Sequence, residues 1–248
     1  MLTKHLKNAT RLSLKYYYMT ILFIFMNLFN WFYNLFKYWN LFTYQIIMLI
    51  FLFTELIFII PGIYNFFQFK LKSKKYKTKD FLNSIKKYYK SFFQILVYAG
   101  LFGFIALIPI SIISAKINNK LVASSFRQIM FMIYGLLTVY IIPIIILRKV
   151  SGWNAIFFSL EYLFRNIKKN VVWLIVFGGR SLIMIIMNYL KFHFSYDTFN
   201  YWFISFISSS INNYLRLIIF IIALQVLRED NVDQYLLSYE EEDINKQM

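Results

Sequence analysis

Apolar residues along this chain gather into blocks of about twenty, and polar residues collect between the blocks. A block of that length matches a hydrocarbon core of about 30 Å crossed at about 1.5 Å per residue. Six stretches qualify, at roughly 17–36, 42–64, 92–114, 129–147, 171–190 and 203–227. The pattern predicts an all-α, polytopic integral membrane protein. Its six transmembrane helices form one domain over residues 1–228, followed by an acidic tail over 229–248. An even number of crossings puts both termini on one side.

The segments leading into alternate blocks have a second periodicity. Ser13-Leu-Lys-Tyr-Tyr, Ser84-Ile-Lys-Lys-Tyr and Ser159-Leu-Glu-Tyr-Leu each sit on an amphipathic stretch, and their serines are 71 and 75 residues apart. In the second copy Phe81, Leu82, Ile85, Tyr88, Tyr89 and Phe92 share one helical face, with Lys79, Asn83, Lys86, Lys87 and Lys90 opposite. In the third, Trp153, Ile156, Phe157, Leu160, Phe164 and Ile167 align in the same way. Helices of this kind lie in the headgroup layer with lysines toward anionic lipid. Three units, each an interfacial helix followed by a transmembrane hairpin, account for this slightly better than the plainer alternative, that any loop entering a basic cytoplasmic span has this pattern.

Charge adds an orientation. The formal net charge is +16, and 20 of the 27 Lys and Arg residues fall in the N-terminus, the second and fourth connections and the tail. The opposite side carries only Lys37, Lys116, Lys120, Arg127 and Lys191. The positive-inside rule then puts both termini in the cytoplasm, in the cell membrane. The N-terminal apolar run is too long for a cleavable signal and lacks a small-x-small cleavage site. These lysines flank spans instead of building a folded basic surface, which argues for lipid and against nucleic acid as a partner. Cysteine is absent and the two histidines, His5 and His193, fall on opposite sides, so neither a metal nor a haem site is expected.

Polar residues inside the blocks are the candidates for chemistry. Arg180 lies in the middle of Val171–Leu190, at a depth from which its side chain cannot comfortably reach water. Glu55 and Arg216 lie at similar depth, and one carboxylate cannot neutralise two guanidinium groups. Ser205, Ser209, Asn212 and Arg216 form one stripe on the sixth block, and Thr20, Asn27, Asn30 and Asn34 form another on the first. The sharper interpretation is an outward-facing cavity ending at Glu55, Arg180 and Arg216. The plainer one is hydrogen-bonded glue between helices, favoured roughly two to one because polar residues in spans also serve packing. Gly178-Gly179 beside Arg180 leaves open a helix break or close packing, and Pro61, Pro109 and Pro143 predict bends. Ala99, Gly103 and Ala106 line a small-residue stripe that suits helix–helix approach.

No nucleophile–base pair, zinc-ligand spacing or phosphate loop is present, which argues against an enzyme. Gly152-Trp-Asn-Ala155-Ile-Phe-Phe-Ser159, followed by Asn166 and Asn170, resembles the interfacial-helix motif G-x-x-A-x-x-x-S…N of a broad prokaryotic group. That group comprises six-span membrane proteins of uncharacterised function, related to the membrane domain fused to some glycerophosphodiester phosphodiesterases. The exit Leu227-Arg-Glu-Asp is similar to the group's basic-acidic ending. The resemblance covers about a third of the chain and implies the six-span plan, without catalytic residues. The expectation is a non-catalytic accessory or lipid-associated membrane component, with anionic lipid and a membrane-protein partner. The alternative is a small transporter or channel for an anionic or lipid-like solute, using Glu55, Arg180 and Arg216.

Overall fold

The computed structural model describes residues 2–27, 59–72, 74–117, 119–194 and 199–230, and every regular element among them is helical. The helices are α1 (Leu2–Lys15), α2 (Tyr17–Asn27), α3 (Ile60–Leu71), α4 (Thr78–Lys116) and α5 (Lys120–Thr138). They continue with α6 (Ile141–Arg148), α7 (Gly152–Arg165), α8 (Ile167–Asn170), α9 (Val172–Phe192) and α10 (Phe199–Glu229). Among the described residues, three stretches are long and apolar enough to cross a membrane: Val122–Arg148, Ile167–Lys191 and Phe199–Glu229. The predicted block at 42–64 lies mostly outside the described residues, and that at 17–36 is described only as far as Asn27.

Element boundaries depart from the hydropathy blocks in ways the chemistry explains. The fourth block begins at Lys120 instead of 129, because α5 carries Ser124, Arg127 and Gln128 within its first turns. It then breaks at Val139-Tyr140, before α6. Pro143 is the cause: it has no N–H to offer the carbonyl four residues upstream, and its ring crowds that carbonyl. Pro61 opens α3 in the favourable first turn, whereas Pro109 sits inside α4 without ending it. Gly178-Gly179 does not break α9 either, which runs on through both residues. The amphipathic 79–90 stretch and the block at 92–114 are one continuous helix of 39 residues. At about 1.5 Å per residue α4 is roughly 58 Å long, almost twice a hydrocarbon core, so its basic end projects beyond such a layer.

Three segments that share a pattern lie at the centre of the core. Ile59-Ile-Pro-Gly-Ile63, Ile141-Ile-Pro-Ile-Ile145 and Ile218-Ile-Phe-Ile-Ile222 are apolar on every side, each within or opening a helix. A stretch with that composition has no face to give to water and belongs inside. Ile60 to Gln68 are buried without interruption, as are Leu217 to Leu227. α3, α6 and α10 touch one another, and Tyr64 of α3 stacks on Phe220 of α10 with ring centroids 3.8 Å apart. Around them lie the amphipathic helices: α1 against α10, the start of α4 against α3, and α7 against α6.

Each amphipathic helix divides its apolar residues between two sides. On α4, Tyr88 and Phe92 face the core, while Leu82, Tyr89 and Phe93 are exposed. On α7 the inward residues are Gly152, Ala155, Ser159 and Tyr162, and the outward ones Trp153, Phe157 and Phe164. Ser13, Ser84 and Ser159 are all fully or almost fully buried. The helix breaks and return hydrogen bonds of the first and third units, however, correspond one turn away from the serine alignment. The helix break falls at Tyr16 in one and at Asn166 in the other. Four residues past each break, Thr20 and Asn170 donate back to the carbonyls of Ser13 and Leu163, at 2.8 and 3.1 Å.

Candidate functional site

Arg180 lies on α9 facing α10. Its Nε and Nη2 both donate to Oδ1 of Asn212, at 3.0 and 2.8 Å. The neutral amide accepts two of the guanidinium's hydrogen bonds without cancelling its charge. Arg216 follows Asn212 by one turn on α10 and is exposed, while Ser205 and Ser209 are half-buried. Glu55 and Asn30 lie outside the described residues, and Asn27 ends α2 with its side chain outside them as well. Of the predicted polar group, then, the structure joins Arg180 to Asn212. Polar contacts of the same kind tie α5 to α9: Asn188 donates to the Ser124 hydroxyl at 2.9 Å, and Ser181 donates to the Gln128 carbonyl at 3.4 Å. At that crossing Gly135 admits Phe177 so closely that a Cβ would meet the ring at 2.5 Å. These bonds link three candidate membrane spans to one another, and within a hydrocarbon layer no water would compete for them.

A denser polar layer sits at the basic end. The small residues of the α7 motif let α4 come close: a Cβ on Gly152 would meet Cβ of Gln94 and the carbonyl oxygen of Ser91, each at 2.8 Å. The Gly152 N–H donates to Oε1 of Gln94 at 2.8 Å, and Ser151 caps α7 by accepting from the Asn154 N–H. Ser91 Oγ donates to the Val150 carbonyl at 2.8 Å, and Tyr88 Oη to the Ile146 carbonyl at 3.1 Å. Buried Tyr140 donates to Oδ1 of Asn170 and accepts from Nε1 of Trp173, both at 2.6 Å. Asn166 donates to the Tyr162 carbonyl at 3.1 Å, closing the last turn of α7. Thus Gly152 joins α7 to α4 and Asn170 links the following turn to Tyr140, while Ala155 and Ser159 are buried on the inward face of α7.

The acidic exit of α10 completes this layer. Asp230 accepts from Tyr162 Oη at 2.5 Å and pairs with Lys169 at 3.0 Å. Glu229 pairs with Lys4 at 3.4 Å and lies 3.3 Å from Nε2 of buried His5, whose Nδ1 is 3.1 Å from Oε1 of Gln225. One dipeptide therefore fastens α10 to α1 and to α7–α8. Burial, and then the Asp230 carboxylate, push the Tyr162 phenol well above the tyrosine range. Burial and the nearby charges of Lys149 and Lys72 hold the Lys87 ammonium below the lysine range. Tyr162 and Asp230 stood out in the sequence as parts of the third amphipathic segment and of the basic-acidic exit, but nothing in their spacing indicated that they meet, or that His5 is buried. Among the described residues no three His, Asp or Glu side chains converge as a metal site would require. Set against known protein families, characterised proteins and solved structures, the chain matches none of them.

Proposed function

We propose that the protein is a six-span, non-catalytic component of the cytoplasmic membrane that works by engaging lipid through three basic interfacial helices. The observation that carries this reading is the outer surface of α1, α4 and α7. Leu6 and Leu14 on α1, Leu82, Tyr89 and Phe93 on α4, and Trp153, Phe157 and Phe164 on α7 are exposed. Exposed cations accompany them, among them Lys4, Lys7, Lys79, Lys86, Lys90 and Arg165. A stripe of large apolar side chains between lysines suits the boundary between headgroups and acyl chains and suits little else. The continuous α4, too long for one hydrocarbon core, supports the same placement. The segment that resembles the six-span group's motif has a structural use here, since its Gly152 is where α7 meets α4. Arg180 bound to an amide supports the glue interpretation over a transport path.

The absence of cysteine makes the test direct, because single thiols can be introduced without background. A fluorophore on Phe157→Cys in lipid bilayers is expected to be quenched by headgroup-borne quenchers and shielded from aqueous iodide, with the reverse at Lys168→Cys. Full iodide access at both positions would remove the interfacial reading. Solute flux through reconstituted vesicles that disappears in Arg180→Gln would instead favour the transporter.

A further inference from the structure

Between α1, the end of α3 and the end of α10 lies a cavity of about 500 Å³. Arg11 and Lys15 of α1, Lys70 of α3, and Lys74 and Lys75 just after it line its walls, with Gln225 of α10 also contributing. Among the described residues no carboxylate lines it. Two of the cations converge on one ring: Nζ of Lys15 and of Lys70 lie 5.6 and 5.1 Å from the centroid of Tyr16. A ring face attracts a cation without cancelling its charge, so the cations gathered round one cavity still repel one another. An anion in the cavity would offset that repulsion. Gln225 is poised to help, because its Oε1 already faces His5 and its NH2 is the group able to donate to an occupant.

We infer that this cavity binds a phosphate group carried on an organic body, and that the body is the headgroup of an anionic phospholipid. The volume is within the range of about 300–1,000 Å³ usual for small-ligand pockets, more than a bare phosphate needs. Basic pockets at the cytoplasmic ends of helices are where anionic headgroups are recognised. Tyr18, half-exposed, packs edge-on against Tyr16 with centroids 6.3 Å apart, and Tyr17 and Ile21 are exposed beside it on α2. An acyl chain leaving the cavity has that apolar surface to follow. The lipid source rests on the membrane placement proposed above; the phosphate site does not.

The test uses the full-length protein in detergent micelles and native mass spectrometry, with phosphatidylglycerol and phosphatidylcholine as probes. The expected result is one retained phosphatidylglycerol, held at least about tenfold more tightly than phosphatidylcholine. Arg11→Gln combined with Lys70→Gln is expected to abolish that preference. Lys116→Gln combined with Arg127→Gln, which removes equal charge from exposed positions at the opposite end, is expected to keep it. Lys74→Gln with Lys75→Gln, outside any helix, gives the same reading if the first pair unfolds the protein. Equal loss in the opposite-end control, or equal retention of the two lipids, would overturn the site. Displacement by glycerol 3-phosphate at concentrations matching the lipid would overturn the lipid source and leave a soluble phosphate ester as the occupant. A Phe157 label open to water together with intact phosphatidylglycerol preference would sink the interfacial placement and leave this site standing.

Discussion

Gly152 shows how a single position decides a contact. A methyl group there would meet the α4 backbone and Gln94 Cβ at 2.8 Å, whereas Gly178 and Gly179 have nothing within 4 Å. Gly152→Ala is therefore expected to destabilise the fold by about 1–3 kcal/mol, as overpacking does. Gly178→Ala is expected to be neutral or to stabilise by up to about 1 kcal/mol through helix propensity. Thermal unfolding in lipid nanodiscs separates the two, and equal effects would refute the close approach. Lys149 is strained in another way, with φ at 61° in the left-handed region and its N–H bound to the Ile145 carbonyl. Lys149→Gly removes that strain together with the charge beside Lys87, and should stabilise the protein by about 1 kcal/mol. Arg180 was visible in the sequence as an anomaly of depth. Its partner was not, because the rotation of α9 against α10 decides which side chain it meets. Asn212→Leu should cost more stability than Arg180→Gln, since only the first strands a guanidinium without its acceptor. The reverse order would mean that Arg180 has its main partner elsewhere.

Helices were legible where apolar blocks are long, and less so where one residue resets the backbone. The 129–147 block announced a helix, but its break at Val139-Tyr140 follows from Pro143, and its early start from polar residues that hydropathy discounts. The amphipathic stretches were read correctly as amphipathic. Their apolar stripes nevertheless proved wide enough to serve two surfaces, a division that spacing alone does not reveal. The serine alignment of the first and third units missed the helix breaks by one turn, an error that period-3.6 patterns invite because a one-turn shift preserves the face. At this scale the α7–α10 joint makes a pH prediction. Tyr162 has its proton affinity raised from the ordinary 10.0, so the folded state holds the proton that the unfolded chain releases. Its contribution is complete below that value and is lost as pH rises through the folded pKa. Unfolding in detergent should become easier above about pH 10, with a shallower decline in Tyr162→Phe. An unchanged slope would show that this phenol does not ionise on unfolding.

Across the whole molecule, three inner segments of matching sequence are surrounded by three amphipathic helices. Each amphipathic helix packs on the inner segment that precedes it in the chain, and α1 closes the circle on α10. The Glu229-Asp230 exit fastens that closure with pairs to Lys4 and Lys169. This arrangement gathers the N-terminus, the start of α4 and α7 at one end, which is where most of the positive charge falls. The charge asymmetry and the amphipathic stretches were legible in the sequence; the I-I-x-x-I core was not, because the third copy replaces proline with Phe220. The central claim is that the lysine-bearing ends of α1, α4 and α7–α8 share one membrane face. Single cysteines at Lys7, Lys86 and Lys168, with Lys116 and Lys191 as opposites, test it through a membrane-impermeant thiol reagent applied to intact cells and to inverted vesicles. The account predicts that the first three react only in inverted vesicles and the last two only in intact cells. Labelling of any of the first three from outside would contradict it.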